Sequence, residues 1–392
     1  MKSRATNFVV CLILIFSFLV ISSFIVVRYV LCSNVWPIEI SKEIFSLPKI
    51  NDGKLYFGAS NGIFYSVDIE TGKMNWKKSG FEEINSNAVV YNNKVYFKNI
   101  YGKVFCLETN NGSKKWEKDI KGSIANIGPK IIKNSIFISS KNQLIVLDPK
   151  NGDLLNNYSF EGEGCDFSWN SQGIAIVINN EIDISDSNIE GKGLISFFKY
   201  NISKPIWQVD LGGLNFGSIV CDEKYCYVGA RNGKLYALNI ENGDIVWQIN
   251  ANNMFSFRKG IVWADGFIKK QGEKLIFSVN HQNIEEPSLL LCVSKSTGKM
   301  LWSIETPTSI WGEFIVIKNM VIAITEDRQI LTSNLDTGDF KLHKILPEDE
   351  RGEFAGLITN NRYIFISGAD GYVRRFLVDD IIKENQSKRG AP

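Results

Sequence analysis

Short apolar segments alternate with turn residues along the chain after residue 33. In KLYFGASNGIFYSVDIETGKMNW, residues 54–76, an apolar segment is followed by Asn61-Gly62, an alternating segment around Phe64 and Val67, and a turn at Gly72. Alternation with a period of two is typical of β-strands, and Gly permits the positive φ that tight hairpin turns need. The stretch therefore predicts three antiparallel strands joined by two hairpin turns.

The same unit recurs at a period of 40 residues. Six segments contain Thr-Gly or Asn-Gly, and in four of them a Trp follows four residues after the Gly. In the other two, Asn156 and Leu342 occupy that position. The segments are ETGKMNW, NNGSKKW, KNGDLLN, ENGDIVW, STGKMLW and DTGDFKL. Trp36 and Trp207 occupy the same position of the repeat without that Gly. The eight positions, 36, 76, 116, 156, 207, 247, 302 and 342, lie 40 residues apart except where insertions of 11 and 15 residues lengthen two intervals. A further turn upstream adds a fourth strand to most units. Repeated units of four antiparallel strands indicate a β-propeller.

The number of blades follows from these eight positions. Residues 343–378 hold only three predicted strands. VWPIEI, residues 35–40, carries a Trp at the fourth-strand position of the repeat, but no first three strands come before it. We predict an all-β, eight-bladed propeller over residues 33–380, whose last blade takes its fourth strand from the N-terminal segment. The polar tail, residues 381–392, is predicted to be disordered.

The N-terminal segment differs in kind from the repeats. Residues 8–27 form an uncharged apolar run of the length that spans a bilayer as a helix. Lys2 and Arg4 precede it, so the positive-inside rule predicts a cytoplasmic N-terminus and an exported propeller, periplasmic or extracellular. Residues 1–32 are thus predicted to form a single-pass anchor, with a cleaved signal or lipidation at Cys32 as alternatives.

Composition narrows the possible functions. Lys and Arg total 44 against 42 Asp and Glu, which gives no broad basic surface for nucleic acid. The only histidines are His281 and His343, and no Gly-rich phosphate loop opens a helix. We therefore predict no nucleic-acid partner, no cofactor and no metal site.

The repeats resemble a known family. YVGARNGKLYALNIENGDIVW, residues 227–247, is similar to the PQQ-like, quinoprotein-type propeller repeat, and the resemblance covers about residues 35–378. Its members include quinone-dependent alcohol dehydrogenases, in which two adjacent cysteines lie under the cofactor, and the outer-membrane protein assembly factor BamB. This chain has no Cys-Cys pair, so the resemblance implies a non-enzymatic, BamB-like scaffold for an envelope protein. A ligand-sensing or carbohydrate-binding propeller, or a PQQ-dependent dehydrogenase, remains the alternative.

The two insertions predict a binding surface. Both fall between the second and third strands of a blade or between consecutive blades, and these connections emerge on one face of the ring. We expect this face to bind a protein partner. The possible contact residues are Glu181, Asp183, Asp186, Glu190, Phe255, Phe257, Arg258, Glu285 and Glu286.

Two cysteines flank a predicted hairpin turn. In SIVCDEKYCYVG, Cys221 and Cys226 lie on either side of Glu223-Lys224 and form a directly opposed cross-strand pair if the turn has two residues. An oxidising compartment would permit a disulfide between them. Two reduced, buried thiols are the alternative.

Overall fold

The computed structural model describes residues 36–40, 42–120, 127–185, 188–254, 262–283, 286–310, 312–343 and 354–386. Within these ranges the strands form eight antiparallel sheets, seven of four strands and one of five, in consecutive order around a ring. The predicted eight-bladed propeller with four-stranded blades is confirmed.

Blades 1 to 4 each contain four strands in sequence order. Blade 1 comprises β2 (Lys49–Asn51), β3 (Lys54–Gly58), β4 (Ile63–Asp68) and β5 (Met74–Ser79). Blade 2 comprises β6 (Val89–Tyr91), β7 (Lys94–Lys98), β8 (Lys103–Glu108) and β9 (Lys114–Asp119). Blade 3 comprises β10 (Lys130–Ile132), β11 (Ser135–Ser139), β12 (Gln143–Leu147) and β13 (Leu154–Ser159). Blade 4 comprises β14 (Glu163–Trp169), β15 (Gly173–Ser185), β16 (Asn188–Lys199) and β17 (Trp207–Asp210).

Blades 5 to 8 complete the ring. Blade 5 comprises β18 (Ile219–Cys221), β19 (Tyr225–Gly229), β20 (Lys234–Asn239) and β21 (Ile245–Asn250). Blade 6 comprises β22 (Val262–Trp263), β23 (Ile268–Gln271), β24 (Lys274–His281), β25 (Ser288–Ser294) and β26 (Met300–Thr306). Blade 7 comprises β27 (Ile315–Ile317), β28 (Met320–Ile324), β29 (Ile330–Asn334) and β30 (Phe340–His343). Blade 8 comprises β31 (Phe354–Thr359), β32 (Tyr363–Gly368), β33 (Tyr372–Leu377) and the N-terminal strand β1 (Ile38–Glu39).

The core lies between the blades. The described residues form eight apolar clusters, and each cluster draws side chains from two neighbouring blades. Strands in the second and third positions, such as β3 and β4, are buried almost throughout, whereas the fourth strand β5 buries only Trp76. A single four-stranded sheet cannot cover both of its faces, so each blade depends on its neighbours for burial.

The repeated Trp and Gly meet between blades rather than within one. Gly112, Gly152, Gly243, Gly298 and Gly338 each lie under the indole of the preceding blade, and a Cβ on any of them would come within 3.0 Å of that Trp. The indole N–H groups also donate to carbonyls of the next blade at 2.8–3.1 Å, in the pairs Trp76–Thr109, Trp116–Pro149, Trp207–Ile240, Trp247–Lys295 and Trp302–Leu335. Each seam thus combines aromatic packing with one hydrogen bond.

The seam between blades 8 and 1, which we call the closing seam, uses a different hydrogen-bond donor to the next blade. β1 pairs with β33, and Trp36 lies against Gly72 of blade 1. Within the described residues the Trp36 indole N–H is buried without a hydrogen-bond partner. Arg375 donates instead to the carbonyl of Ile69 at 2.9 Å, and its guanidinium lies over the Trp36 ring at 5.3 Å. An arginine of blade 8 therefore takes the acceptor that the indole takes elsewhere.

Two seams lack the Trp and Gly together. Between blades 3 and 4 the corresponding residues are Asn156 and Ser203. Between blades 7 and 8, Leu342 replaces the Trp, and the chain enters helix α1 (Val378–Gln386) where the other blades form a turn. Val378 and Ile381 of this helix are buried against blade 7. The expectation of disorder from residue 381 is therefore corrected for residues 381–386, because their apolar side chains fill a seam.

No helix among the described residues is long and apolar enough to cross a membrane. The predicted anchor, residues 8–27, lies outside the described residues, so it stays a prediction.

The Trp–Gly contact can be tested with two glycines that share positive φ. Gly298 (φ 70°) lies under Trp247, whereas Gly272 (φ 58°) has no atom within 4 Å of an added Cβ. Gly272→Ala should cost about 1–2 kcal/mol for the left-handed backbone alone. Gly298→Ala should cost a further 1–3 kcal/mol, roughly, because the indole must move.

Urea unfolding of both variants would measure the difference. Trp247→Phe should lose about 1–3 kcal/mol, since it keeps a ring but removes the N–H donor. Equal losses for the two glycine variants would contradict the interlocking role of the seam.

Candidate partner-binding face

The strand order gives the ring two different faces. Turns between second and third strands and the links between blades emerge on one face, which we call the link face. The remaining turns emerge on the other, the tryptophan face, where the Trp–Gly seams lie. Asn179 at the second-to-third-strand connection of blade 4 bonds to Asn215 in the link to blade 5, which places both on the link face.

The blade 4 insertion is a projecting hairpin. Residues 179–193 continue β15 and β16, which stay paired to Ser185 and Asn188 at the tip. A bulge interrupts the pairing after Asn180, and Glu181 there has φ 52°. The insertion therefore forms a two-stranded ribbon beyond the body of the blade.

The predicted contacts on this ribbon are acidic and exposed. Glu181 pairs with Lys192 at 2.8 Å, with both side chains more than half exposed. Asp183 and Glu190 are Cα partners across the two strands and are also exposed. Asp186 lies outside the described residues. The structure thus brings three of the four predicted carboxylates together on the ribbon.

Buried amides fix the ribbon base to the neighbouring link. Asn179 Nδ2 donates to the Asn215 carbonyl at 2.8 Å, and the Asn215 backbone N–H donates back to Asn179 Oδ1 at 3.0 Å. Asn215 Nδ2 also donates to the Gly229 carbonyl of blade 5 at 2.6 Å. Asn280 and Ile310 form the same reciprocal pair beside blade 6. Because buried backbone groups must be paired, these amides hold irregular links in one conformation.

An arginine lies between two aromatic rings beside this link. The Arg231 guanidinium is 4.4 Å from the Phe216 ring centroid and 4.0 Å from that of Trp263. Its Nε donates to Asp265 Oδ2 at 3.1 Å, and the same oxygen accepts the Phe216 backbone N–H at 2.9 Å. The Arg231 backbone N–H donates to the Leu214 carbonyl. Arg231 of blade 5 and Asp265, which follows β22 of blade 6, are thereby both bonded to the link between blades 4 and 5, which carries Leu214 and Phe216.

Burial governs the electrostatics of this cluster. Burial raises the pKa of the Asp265 carboxyl above its ordinary value, and the nearby Arg231 charge opposes that shift without cancelling it. Phe216 remains 44% exposed beside this buried ion pair. The cluster thus presents a fixed aromatic side chain to solvent on the link face.

The described residues of the blade 6 insertion between its second and third full-length strands, 280–283 and 286–288, lie on the same face. His281 ends β24, where its Nδ1 accepts the Asn283 backbone N–H at 3.0 Å, and Glu286 donates its backbone N–H to the Asn283 carbonyl at 3.1 Å. Glu286 is partly exposed in this turn. The other predicted contacts of this insertion lie outside the described residues; they are Phe255, Phe257, Arg258 and Glu285.

The two flanking cysteines occupy the tryptophan face. Cys221 and Cys226 are cross-strand partners in the β18–β19 hairpin, with Cα atoms 4.1 Å apart and a disulfide between them. Asp222, in the same turn, lies 3.6 Å from the Lys270 ammonium and 3.5 Å from that of Lys295, both in blade 6. The hairpin turn is therefore held both by its own bond and by the neighbouring blade.

The described residues contain no group of three or more His, Cys, Asp or Glu side chains arranged to hold a metal ion. Between blades 4 and 5 they line an open recess of about 260 Å³, formed by Gln172, Phe197, Lys199, Ile206, Ile240 and Glu241.

The sequence did not single out the Arg231 cluster. Its parts lie on separate segments of blades 5 and 6, and only the ring brings them together. One signal was available: Trp263 falls outside the repeated Trp position and stands two residues before Asp265 in a link.

Comparison with known proteins agrees with this architecture. The family described as "Outer membrane protein assembly factor BamB" matches residues 32–123, 77–158 and 192–257. BamB of Moranella endobia is 22% identical over 298 residues, covering 65% of this chain and 74% of that protein. The chain belongs to the PQQ-like β-propeller family. Among solved structures, this PQQ-like propeller superposes on BamB of Moraxella catarrhalis with a TM-score of 0.63 at 13% identity, covering 88% and 99% of the two chains.

Enzymes also occur among its relatives. Tetrathionate hydrolase of Acidithiobacillus ferrooxidans is 24% identical over 273 residues, 65% of this chain, which spans only 47% of that enzyme's length. The quinohemoprotein alcohol dehydrogenase of Comamonas testosteroni superposes with a TM-score of 0.62 at 13% identity, over 88% of this PQQ-like propeller and 76% of the enzyme. Structural likeness at such low identity shows the fold alone.

The buried Arg231–Asp265 pair gives a stability test. Arg231→Met should destabilise the fold by about 3–5 kcal/mol, because it leaves a buried carboxylate without its counter-charge. The matched control is Lys269→Met at the part-exposed Lys269–Glu313 pair, which should cost less than about 1 kcal/mol.

The stability of the Arg231→Met variant should depend on pH with a defined sign. Loss of Arg231 should raise the pKa of Asp265 further, so the folded state binds a proton more readily than the unfolded chain. Stability of that variant should then fall as pH rises through the folded pKa, and its deficit should be smaller at about pH 5 than at about pH 8. Urea unfolding at both values would measure this. A deficit independent of pH would contradict the assignment.

The cysteines allow a separate test. In protein from an oxidising compartment, mass spectrometry should find Cys221 linked to Cys226, with Cys106, Cys165 and Cys292 as thiols. Replacing both bonded cysteines with Ala should lower the free energy of unfolding by about 2 kcal/mol, because the bond closes a very short loop. Alkylation of Cys221 and Cys226 in the folded, unreduced protein would contradict this prediction.

Proposed function

We propose that this chain is a non-enzymatic envelope scaffold that binds a protein partner through the link face of blades 4 to 6, in a BamB-like role in outer-membrane protein assembly. The observation that carries the proposal is the position of the insertions. Measured against the 40-residue unit, both extra lengths fall on the link face. Neutral insertions would fall on both faces, whereas binding segments concentrate on one.

The structure of that face supports the same function. Its ribbon and links are fixed by buried amides and by the Arg231–Asp265 pair, so the exposed groups are held in place before binding. Preorganisation lowers the entropy cost of association. Exposed Phe216 provides an aromatic anchor, and the acidic ribbon lies across the same link. Aromatic anchors with a charged surround are typical of protein interfaces.

The envelope location rests on the relatives and on the N-terminal sequence. The proposed anchor is the apolar run 8–27, which leaves the propeller outside the cytoplasm. The related BamB of Moranella endobia is named as an outer membrane protein assembly factor. The partner proposed for this chain is accordingly an outer-membrane β-barrel assembly component.

A dehydrogenase-like or other enzymatic role is the second candidate, because related propellers include enzymes. It predicts a bound quinone absorbance in the purified protein and turnover of a small substrate. The scaffold proposal predicts neither.

Site-specific crosslinking would test the scaffold. A photoreactive residue at position 216 should crosslink to a barrel assembly component in native membranes, and mass spectrometry would identify it. The matched control is position 101, where Tyr101 is 67% exposed on the link face of blade 2, away from both insertions. The control position should give little of that product.

Shortening the ribbon gives the second arm of the test. Replacing residues 181–190 by a two-residue turn should leave the melting temperature nearly unchanged, because these residues extend beyond blade 4. It should reduce the position 216 crosslink at least tenfold, roughly, if the ribbon contributes a contact worth about 1.4 kcal/mol or more. An undiminished crosslink, or one to an unrelated protein, would overturn the proposal.

A further inference from the structure

The open recess between blades 4 and 5 lies on the tryptophan face, because the turns that surround it all emerge there. Phe197 and Ile240 are buried and form its base. Its walls are exposed side chains, namely Gln172, Lys199, Ile206 and Glu241. Its volume of about 260 Å³ is slightly below the roughly 300–1,000 Å³ of pockets for drug-sized ligands, so the recess suits a smaller molecule.

An exchange of large and small side chains between two strands explains why the recess occurs at this seam. In blades 1, 2 and 5 a second-strand Tyr lies opposite a small third-strand residue, in the pairs Tyr56–Ser66, Tyr96–Cys106 and Tyr227–Ala237. Blade 4 reverses the order, with Ala175 opposite Phe197. The Phe197 ring stacks on Trp207, with ring centroids 5.5 Å apart. The second strand of blade 4 therefore sends no tyrosine toward blade 5.

The charges at the adjoining strand ends are also exchanged in blade 4. In blades 1 and 2 a second-strand Lys lies opposite a third-strand carboxylate, in the pairs Lys54–Asp68 and Lys94–Glu108. In blade 4 the same two positions hold Gly173 and Lys199. Blade 4 thus carries its lysine on the third strand, beside the recess, and has no side chain at the start of its second strand.

The position of Glu241 in its turn is one whose carboxylate is bound by the preceding blade at two other seams. Glu70, two residues before Gly72, accepts the Tyr363 hydroxyl at 2.7 Å. Asp336, two residues before Gly338, pairs with the Lys274 ammonium. Tyr363 and Lys274 are the first residues of β32 and β24. A cation or hydroxyl from the preceding blade therefore ordinarily occupies the space beside this carboxylate.

The recess offers two charges that the described residues leave without partners. Gly173 is the first residue of β15, so no side chain extends from there toward Glu241. Within the described part of the chain, neither the Glu241 carboxylate nor the Lys199 ammonium forms a hydrogen bond or ion pair. The neighbouring Glu223 is engaged, because it accepts the Ser171 backbone N–H at 3.2 Å. The recess thus presents a cation from blade 4 and an anion from blade 5.

We propose that the recess binds a small zwitterion, an α-amino acid with an aliphatic side chain. The ligand ammonium pairs with Glu241, as the Lys274 ammonium pairs with Asp336, and the ligand carboxylate pairs with Lys199. Ile206, which is 44% exposed, contacts the aliphatic part. Glu241 would repel a simple anion and Lys199 a simple cation, so charge complementarity selects a molecule that carries both charges. This ligand site goes beyond the proposed partner binding and lies on the opposite face of the ring.

Saturation-transfer NMR with L-leucine on the full-length protein in detergent would test the site. L-Leucine should bind saturably in the millimolar range or below. Isocaproate lacks the ammonium group and isoamylamine lacks the carboxylate, so each should bind at least about tenfold more weakly. Added salt should weaken L-leucine binding, because exposed charges are screened.

Variants of the two charged walls should change selectivity as well as affinity. Lys199→Gln should bind L-leucine and isoamylamine about equally, because the carboxylate has no partner there. Glu241→Gln should bind L-leucine and isocaproate about equally, for the converse reason. The matched control combines Lys204→Gln with Asp244→Asn, which removes the same charges from exposed positions of the same two turns outside the recess. The control should bind L-leucine like the parent protein.

Three outcomes would overturn the proposal. Equal binding of L-leucine, isocaproate and isoamylamine to the parent protein would exclude recognition of a zwitterion. Equal weakening in the control and in the wall variants would indicate general electrostatics. Absence of saturable L-leucine binding would exclude the ligand class. The position 216 crosslink reports the partner on the other face, so failure of one proposal leaves the other measurable.

Discussion

The packing of each tryptophan on the glycine of the next blade is the interaction on which the ring depends. A four-stranded blade buries little alone, so its stability comes from its two neighbours. The indole supplies a large apolar face and an N–H donor, and the glycine lets the next turn approach without a Cβ. Trp and Gly must therefore be retained or lost in pairs across a seam. Their joint absence, as Asn156 with Ser203, marks a place where the ring is held differently.

Three seams depart from the repeated Trp–Gly contact, and each is completed in a different way. At the closing seam Arg375 supplies the missing donor and covers Trp36, while the seam between blades 7 and 8 is filled by α1. At the seam between blades 3 and 4, Asn156 and Ser203 replace the pair, and Lys133 of blade 3 lies over the Tyr200 ring of blade 4.

The two faces of the ring serve different purposes in this interpretation. Links and second-to-third-strand turns can lengthen without disturbing the seams, so insertions accumulate on the link face. Buried amides such as Asn179 and Asn215 then keep the lengthened segments ordered, and Arg231 with Asp265 joins two blades under exposed Phe216. Membership of the PQQ-like family fixes this frame, whereas function depends on the groups that each face exposes.

The repeat alone determined the fold of this chain. A period of 40 residues, hairpin turns at fixed spacing and an unpaired N-terminal strand were sufficient for eight blades and their closure, because they depend on local patterns and on counting. The sequence also located both insertions and the opposed Cys221 and Cys226. It did not reveal that the Trp–Gly pairs cross between blades, that residues 381–386 are helical, or that Arg231 meets Phe216, Trp263 and Asp265. Those contacts join segments far apart in the chain, and only closure of the ring brings them within reach.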